Sequence, residues 1–183
     1  MAYATLSELK SYLGITGTGE DTLLTTCLDG ATKAIESHTR RVFQATSGTR
    51  EYLYNGRKKI ILDEDLYSLT SLKLNGTSVT EYRLFPVETT PKSWIVVYEI
   101  PSSVVWNTYE QTWEVTGLWG YSATPPHDVK LACLRWAGYL YRLKDAQVFD
   151  AAYMEGVGQL VIQKGIPPDV AKLLQSYVKV SLL

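Results

Sequence analysis

The sequence predicts an α+β fold: a helical layer, an antiparallel β region inserted between its helices, and a C-terminal arm and helix. Three observations predict it. Residues 5–41 carry helix caps and helical apolar spacing. Residues 49–118 are rich in Tyr, Val, Ile, Thr and Trp, with turn signals at short intervals. Residues 126–144 return to helical spacing.

Thr5-Leu6-Ser7-Glu8 is a capping box, in which the Thr hydroxyl and the Glu carboxylate reciprocally satisfy backbone N–H groups. It predicts a helix over 5–13, and Gly14 is placed to end it in a left-handed cap. Gly17-Thr18-Gly19 reads as a loop. A second helix is predicted over 20–41, with Leu24, Cys27, Leu28, Ala31, Ala34, Ile35 and His38 as its apolar stripe. Glu20 and Asp21 at its start and Arg40-Arg41 at its end suit the helix dipole.

The β region shows two hairpin signals. Tyr52 to Leu62 folds about Asn55-Gly56, and Ser71 to Leu84 about Asn75-Gly76. Asn-Gly favours such turns because both residues tolerate positive φ. Trp94–Tyr98 and Thr112–Leu118 supply two further strands. Pro86, Pro91 and Pro101 fall between strands, where a missing ladder donor does no harm.

Gly117, Gly120 and Pro125-Pro126 then break the chain before its clearest amphipathic helix, with Thr124 and the prolines at the start. Val129, Ala132, Cys133, Trp136, Ala137 and Leu140 lie on one helical face. From Asp145 to Gly165 the periodicity is weak. This reads as an extended arm or loop with a short strand at Leu160–Gln163. Pro167-Pro168-Asp169 opens a last helix, on which Val170, Leu173, Leu174, Tyr177 and Val178 recur at helical spacing. The expected division is a single domain over 1–145, with helices 5–13, 20–41 and 126–144 and the β region 49–118, followed by an arm and helix over 146–183. The terminal helix either folds back on its own core or docks in a groove on another protein.

Composition excludes several functions. The apolar fraction of 45% fills an ordinary core, and a net charge of −1 creates no field that would gather nucleic acid. Thirteen Tyr and five Trp suit half-buried strand faces and protein interfaces. Cys27 and Cys133 read as buried thiols. The N-terminus lacks the basic start and apolar run of a signal peptide, and no apolar run is long enough to cross a bilayer. A soluble protein in a reducing compartment is expected.

The chemistry is equally spare. His38 and His127 have no zinc-ligand spacing, and the Gly14–Gly19 loop follows a helix rather than a strand and lacks a following Gly-Lys-Ser/Thr. No Gly-x-Ser-x-Gly elbow and no Ser/His/Asp set is present. No catalytic residue, metal site or cofactor is expected. Asp63-Glu64-Asp65 reads as solvated acid at the end of a strand. Together with Arg57-Lys58-Lys59 across the same hairpin, it forms a set of charges able to pair internally or with a neighbouring subunit.

The ordered motifs resemble the head–tail connector (adaptor) proteins of tailed bacteriophages, also found in prophages and gene transfer agents. The resemblance lies in Thr5–Ile15 with Glu20-Asp21 and Ala34–Arg41, in Leu62-Asp63-Glu64 through Leu69–Leu72 and Asn75-Gly76, in Val115–Tyr121 with Asp128-Val129-Lys130, and in Gln163–Val170 with the terminal helix. It implies a virion neck protein, assembled in the bacterial host cytoplasm, that forms a ring of about twelve copies closed by heterologous contacts. The ring sits under the portal, extends the DNA channel without sequence-specific binding, and offers the tail or a stopper (head-closure) protein a docking surface, with no membrane. The resemblance also implies portal contact through C-terminal material, carried here to Val170, Leu173, Leu174 and Tyr177. A second reading from the residues alone is a glycan- or peptide-binding β module that uses Trp94, Trp106, Trp113 and Trp119. A small hydrolase would need a nucleophile–base pair, and none is found.

Overall fold

A computed structural model describes residues 2–104, 111–144, 151–154, 158–161 and 165–179. In order, they form α1 (Leu6–Leu13), α2 (Asp21–Thr39), β1 (Thr46–Leu53), β2 (Lys59–Leu74), β3 (Thr77–Ser78), β4 (Tyr82–Phe85), β5 (Lys92–Val97), β6 (Thr112–Trp119), α3 (His127–Leu143), β7 (Ala151–Met154), β8 (Gly158–Val161) and α4 (Pro168–Leu174). A 3-10 turn at Gln175–Tyr177 follows. The class is α+β, as the sequence predicts. The chain divides into two compact units, Met1–Arg40 with Pro126–Leu183, and Arg41–Pro125.

In the helical unit, both halves of the capping box form. Thr5 N–H donates to the Glu8 carboxylate at 2.9 Å, and Glu8 N–H donates to the Thr5 hydroxyl at 3.3 Å. Gly14 ends α1 at φ 72°. α2 buries Leu24, Cys27, Leu28, Ala31 and Ile35. It also buries Thr32 and Thr39, whose hydroxyls donate to Leu28 O and Ile35 O, each at 2.8 Å. That internal bond makes a threonine acceptable on an apolar stripe. His38, assigned to the stripe from sequence, is exposed instead, and Thr39 takes the inward position. α3 buries the predicted Val129, Ala132, Cys133, Trp136 and Ala137. Its cap is Pro126, not Thr124. Gly138 is buried as well, and α1 closes on it: an added Cβ would lie 3.3 Å from the Leu13 side chain. After α4 the chain returns to the end of α2, where Lys179 N–H donates to Thr39 O at 2.9 Å.

The segment read as an arm contains an antiparallel ribbon, β7 with β8. The strand expected at Leu160–Gln163 overlaps β8 at 160–161, and positions 162–163 lie outside the described residues.

The β unit is one antiparallel sheet in the order β1-β6-β2-β5-β4, with β3 paired to β2. This corrects the first predicted hairpin. β1 and β2 flank Asn55-Gly56 but do not pair, because β6 lies between them. β6 alternates buried and half-buried positions along its whole length, which suits a strand with a neighbour on each side. The second hairpin forms as a short one. Asn75 and Gly76 both have positive φ, and Lys73–Leu74 pairs with Thr77–Ser78 before the chain turns away.

β2 runs for 16 residues and changes partner midway. It pairs with β5 over Lys59–Leu66 and with β6 over Leu66–Leu74, with bulges at each shift of register. Bulges bend a strand and raise its twist. Gly117 permits the tight crossing, since a Cβ there would sit 2.2 Å from Ser68 O. The enclosed core includes Ile60, Leu62, Leu66, Leu72, Ile95, Trp113 and Trp119.

Candidate functional site

The four C-terminal positions named from sequence separate into two pairs. Val170 and Leu174 are one turn apart on α4 and fully buried in the helical unit. Leu173 and Tyr177 are half-buried and keep accessible surface. The helix is tied down by Arg135, which bonds the Asp169 carboxylate at 3.1 Å, and by the Tyr177 hydroxyl, 3.5 Å from Asp128. A groove of about 400 Å³ opens beside it, lined by Tyr12, Arg135, Tyr139, Arg142 and Asp169 among others.

The six charges do not form one cluster. Asp63, Glu64 and Asp65 lie in the middle of β2, not at a strand end. Successive strand residues alternate faces, and the bulge after Ile61 carries Asp65 inward. Asp65 is 5% exposed and pairs with Arg41 at 2.6 Å. Glu64 is exposed and takes Arg50 in a two-pronged pair at 2.9 and 3.0 Å, while that guanidinium lies over the Trp119 ring. Lys58 donates to Tyr98 O at 2.7 Å. The Lys59 ammonium sits 4.9 Å from the Trp94 ring centroid. Asp63 and Arg57 are exposed, and Arg57 is fixed at its backbone by the Asn55 side-chain oxygen at 3.1 Å. No group of three or more His, Cys, Asp or Glu among the described residues is arranged to hold a metal. Cys27 and Cys133 are buried free thiols, both pushed up in pKa by that burial.

Three tryptophans of the β unit, Trp94, Trp113 and Trp119, are engaged. Trp113 and Trp119 are each 2% exposed. Trp94 stacks on Phe85 with centroids 5.8 Å apart and planes 8° apart. β5 lies between β2 and β4, so Lys59 and Phe85 flank Trp94 from opposite sides. Arg83 then lies over Phe85, 6.0 Å from its centroid. A sugar or base platform needs an open ring face, and none of these three rings presents one. Trp106 lies outside the described residues.

Two features of the same unit escape the sequence reading. Leu53 is 65% exposed and Ile61 67% exposed, and both border a notch of about 210 Å³ with Tyr52 and Trp113 in its lining and Arg57 and Lys59 at its edge. Burial pushes the Tyr52 phenol up to about 12. At the β4–β5 turn, the Lys92 ammonium donates to the carbonyls of Pro86, Val87 and Thr89 at 2.8, 3.0 and 2.8 Å. That turn presents Val87, 44% exposed, with Glu88 beside it. In sequence, Lys59-Ile60-Ile61-Leu62 is an apolar run in which the outward-facing isoleucine cannot be told from its inward neighbours. The lysine-to-turn bonds have no sequence signature.

Residues 2–180 match the model of a family described as head completion protein. The comparison with curated proteins finds no match. Among solved structures, the fold is similar to a chain in the neck of an empty gene transfer agent particle computed with C6 symmetry. The TM-score is 0.63 at 21% identity, over 97% of this chain and 90% of that one. A chain from the virion of a native gene transfer agent particle gives 0.63 at 20% identity, with the same coverage. A chain from the native neck computed with C12 symmetry gives 0.55 at 20% identity, again over 97% and 90%. At these identities the likeness is one of fold.

Proposed function

The chain belongs to the head completion protein family, and on that premise we propose that it forms a ring beneath the portal at the neck of a tailed-phage-type particle. Its role is structural, joining head to tail. The ring extends the DNA channel, through which packaged DNA passes without sequence-specific binding, and gives the tail or a head-closure protein its seat. The observation that carries this reading is the family match, which spans nearly the whole chain. The likeness of fold to chains from particle necks computed with C6 and C12 symmetry supports a closed ring. In such a ring, one face of each copy meets a different face of the next.

Portal contact falls on Leu173 and Tyr177, the half-buried members of the C-terminal set, with Val170 and Leu174 holding the helix from beneath. The deciding experiment is light scattering coupled to size exclusion, run on the chain alone and with its cognate portal. A ring of about twelve copies on the portal is expected. A chain that stays monomeric and never binds portal overturns the reading.

A further inference from the structure

We propose that neighbouring copies in the ring contact one another through a knob and a notch, both built in the β unit: the Val87–Glu88 tip of the β4–β5 turn on one copy enters the Leu53–Ile61 notch on the next. This inference rests on the ring reading above and names a contact within it.

The notch has the chemistry of a socket for one apolar side chain beside an acid. Leu53 and Ile61 each expose about two-thirds of their surface, and they share the lining of one notch instead of being scattered singly. The space between them is about 210 Å³, comfortably larger than a valine side chain. Its edge is cationic. Arg57 is exposed, its backbone N–H donating to the Asn55 side chain, and Lys59 stands on the same edge. Among the described residues, no acid lines the notch.

The knob is complementary in shape and sign. Val87 is 44% exposed at the end of a turn, and Glu88 beside it is exposed. The turn is held in shape by the three carbonyl bonds from Lys92. A knob already fixed in its bound shape loses little entropy on docking. The notch opens between β1 and the start of β2, whereas the knob is the β4–β5 turn. Knob and notch are therefore different surfaces, as a head-to-tail ring contact requires. A basic patch alone would also attract nucleic acid. Here, however, the cations border an apolar socket, and Trp113 in its lining is only 2% exposed, so an apolar-acidic segment of protein fits better.

The test uses charge reversal in the full chain. Arg57→Glu, Glu88→Arg and the double variant are compared with wild type by sedimentation equilibrium, alone and on the cognate portal. Each single reversal is expected to weaken copy–copy association about tenfold, and the double reversal to restore most of it, because the pair is re-formed with the signs exchanged. Val87→Asp should weaken it at least as much. All of these positions are exposed, so thermal midpoints should stay at the wild-type value. Association that survives both single reversals and Val87→Asp overturns the contact and leaves the ring standing. A wild-type chain that remains monomeric in both settings overturns the ring and this contact with it.

Discussion

Asp63, Glu64 and Asp65 are consecutive acids that meet three different fates. Asp63 is exposed, Glu64 pairs at the surface with Arg50, and Asp65 is carried inside to Arg41. The energetic consequences differ accordingly. Removing one partner of a buried pair strands the other charge, at a cost of about 3 kcal/mol or more, whereas an exposed pair contributes about 0–1 kcal/mol. Asp65→Ala should therefore lower unfolding stability in urea by about 3 kcal/mol, and Glu64→Ala by under about 1 kcal/mol. Equal effects from the two would contradict this assignment. A second carboxylate responds to pH. The Lys130 ammonium, and next the Thr5 backbone N–H, hold Glu8 down at about 2, against an ordinary value of 4.5. A folded-state pKa below the unfolded one stabilises the fold above the unfolded value. That contribution fades as pH falls from 4.5 towards 2. The pair is more than one-third exposed, so screening limits it to about 1 kcal/mol. The stability gap between wild type and Glu8→Gln should be present at neutral pH and shrink to nothing as melts are taken down through that window. A gap that persists below pH 2 would place the effect elsewhere.

At the scale of elements, α4 shows how a feature that looks detachable belongs to the helical unit. Val170 and Leu174 are fully buried, and Asp169 and Lys179 add polar ties to α3 and α2. Burying two such side chains stabilises by about 5 kcal/mol. Deleting everything after Gly165 should thus lower the melting midpoint by about 10 °C or more. An unchanged midpoint would mean that the helix is held only loosely. The same scale shows what could be read in advance. α1 was legible to its caps, because Thr5, Glu8 and Gly14 act on neighbours within a turn. α3 was legible because its stripe repeats at one period. The partner of β1 was not. Asn55-Gly56 is a correct local turn signal, with Gly56 at φ 78°, but strand pairing is decided by residues far along the chain, and β6 inserted itself. Asp65 was misplaced for a related reason. A bulge shifts the alternation by one, and nothing in Ile61–Leu66 announces it. The notch at Leu53 and Ile61 needs both the pairing and the bend of β2, so it appears only in three dimensions.

At the scale of the whole molecule, the β unit occupies one uninterrupted stretch of chain between α2 and α3, and its two ends are stapled together. Tyr121 N–H donates to Val42 O and Ala45 N–H to Ser122 O, both at 2.8 Å, while Phe43 packs on Tyr121 with centroids 5.5 Å apart. An insertion whose ends meet does not require its host to bring them together. The unit also encloses its own cluster of buried residues, including Trp113 and Trp119. At roughly 85 residues it is above the size at which a single core becomes marginal. The Arg41–Pro125 segment, expressed alone, should therefore fold, with a dispersed amide NMR spectrum and a single cooperative melt. Because it carries both the Val87 knob and the Leu53–Ile61 notch, it also allows that contact to be measured apart from α4. A disordered fragment would mean that the helical unit supplies part of the stability of the β unit. The two units would then have to be treated as a single cooperative body, and a substitution in one would be felt as unfolding of the other.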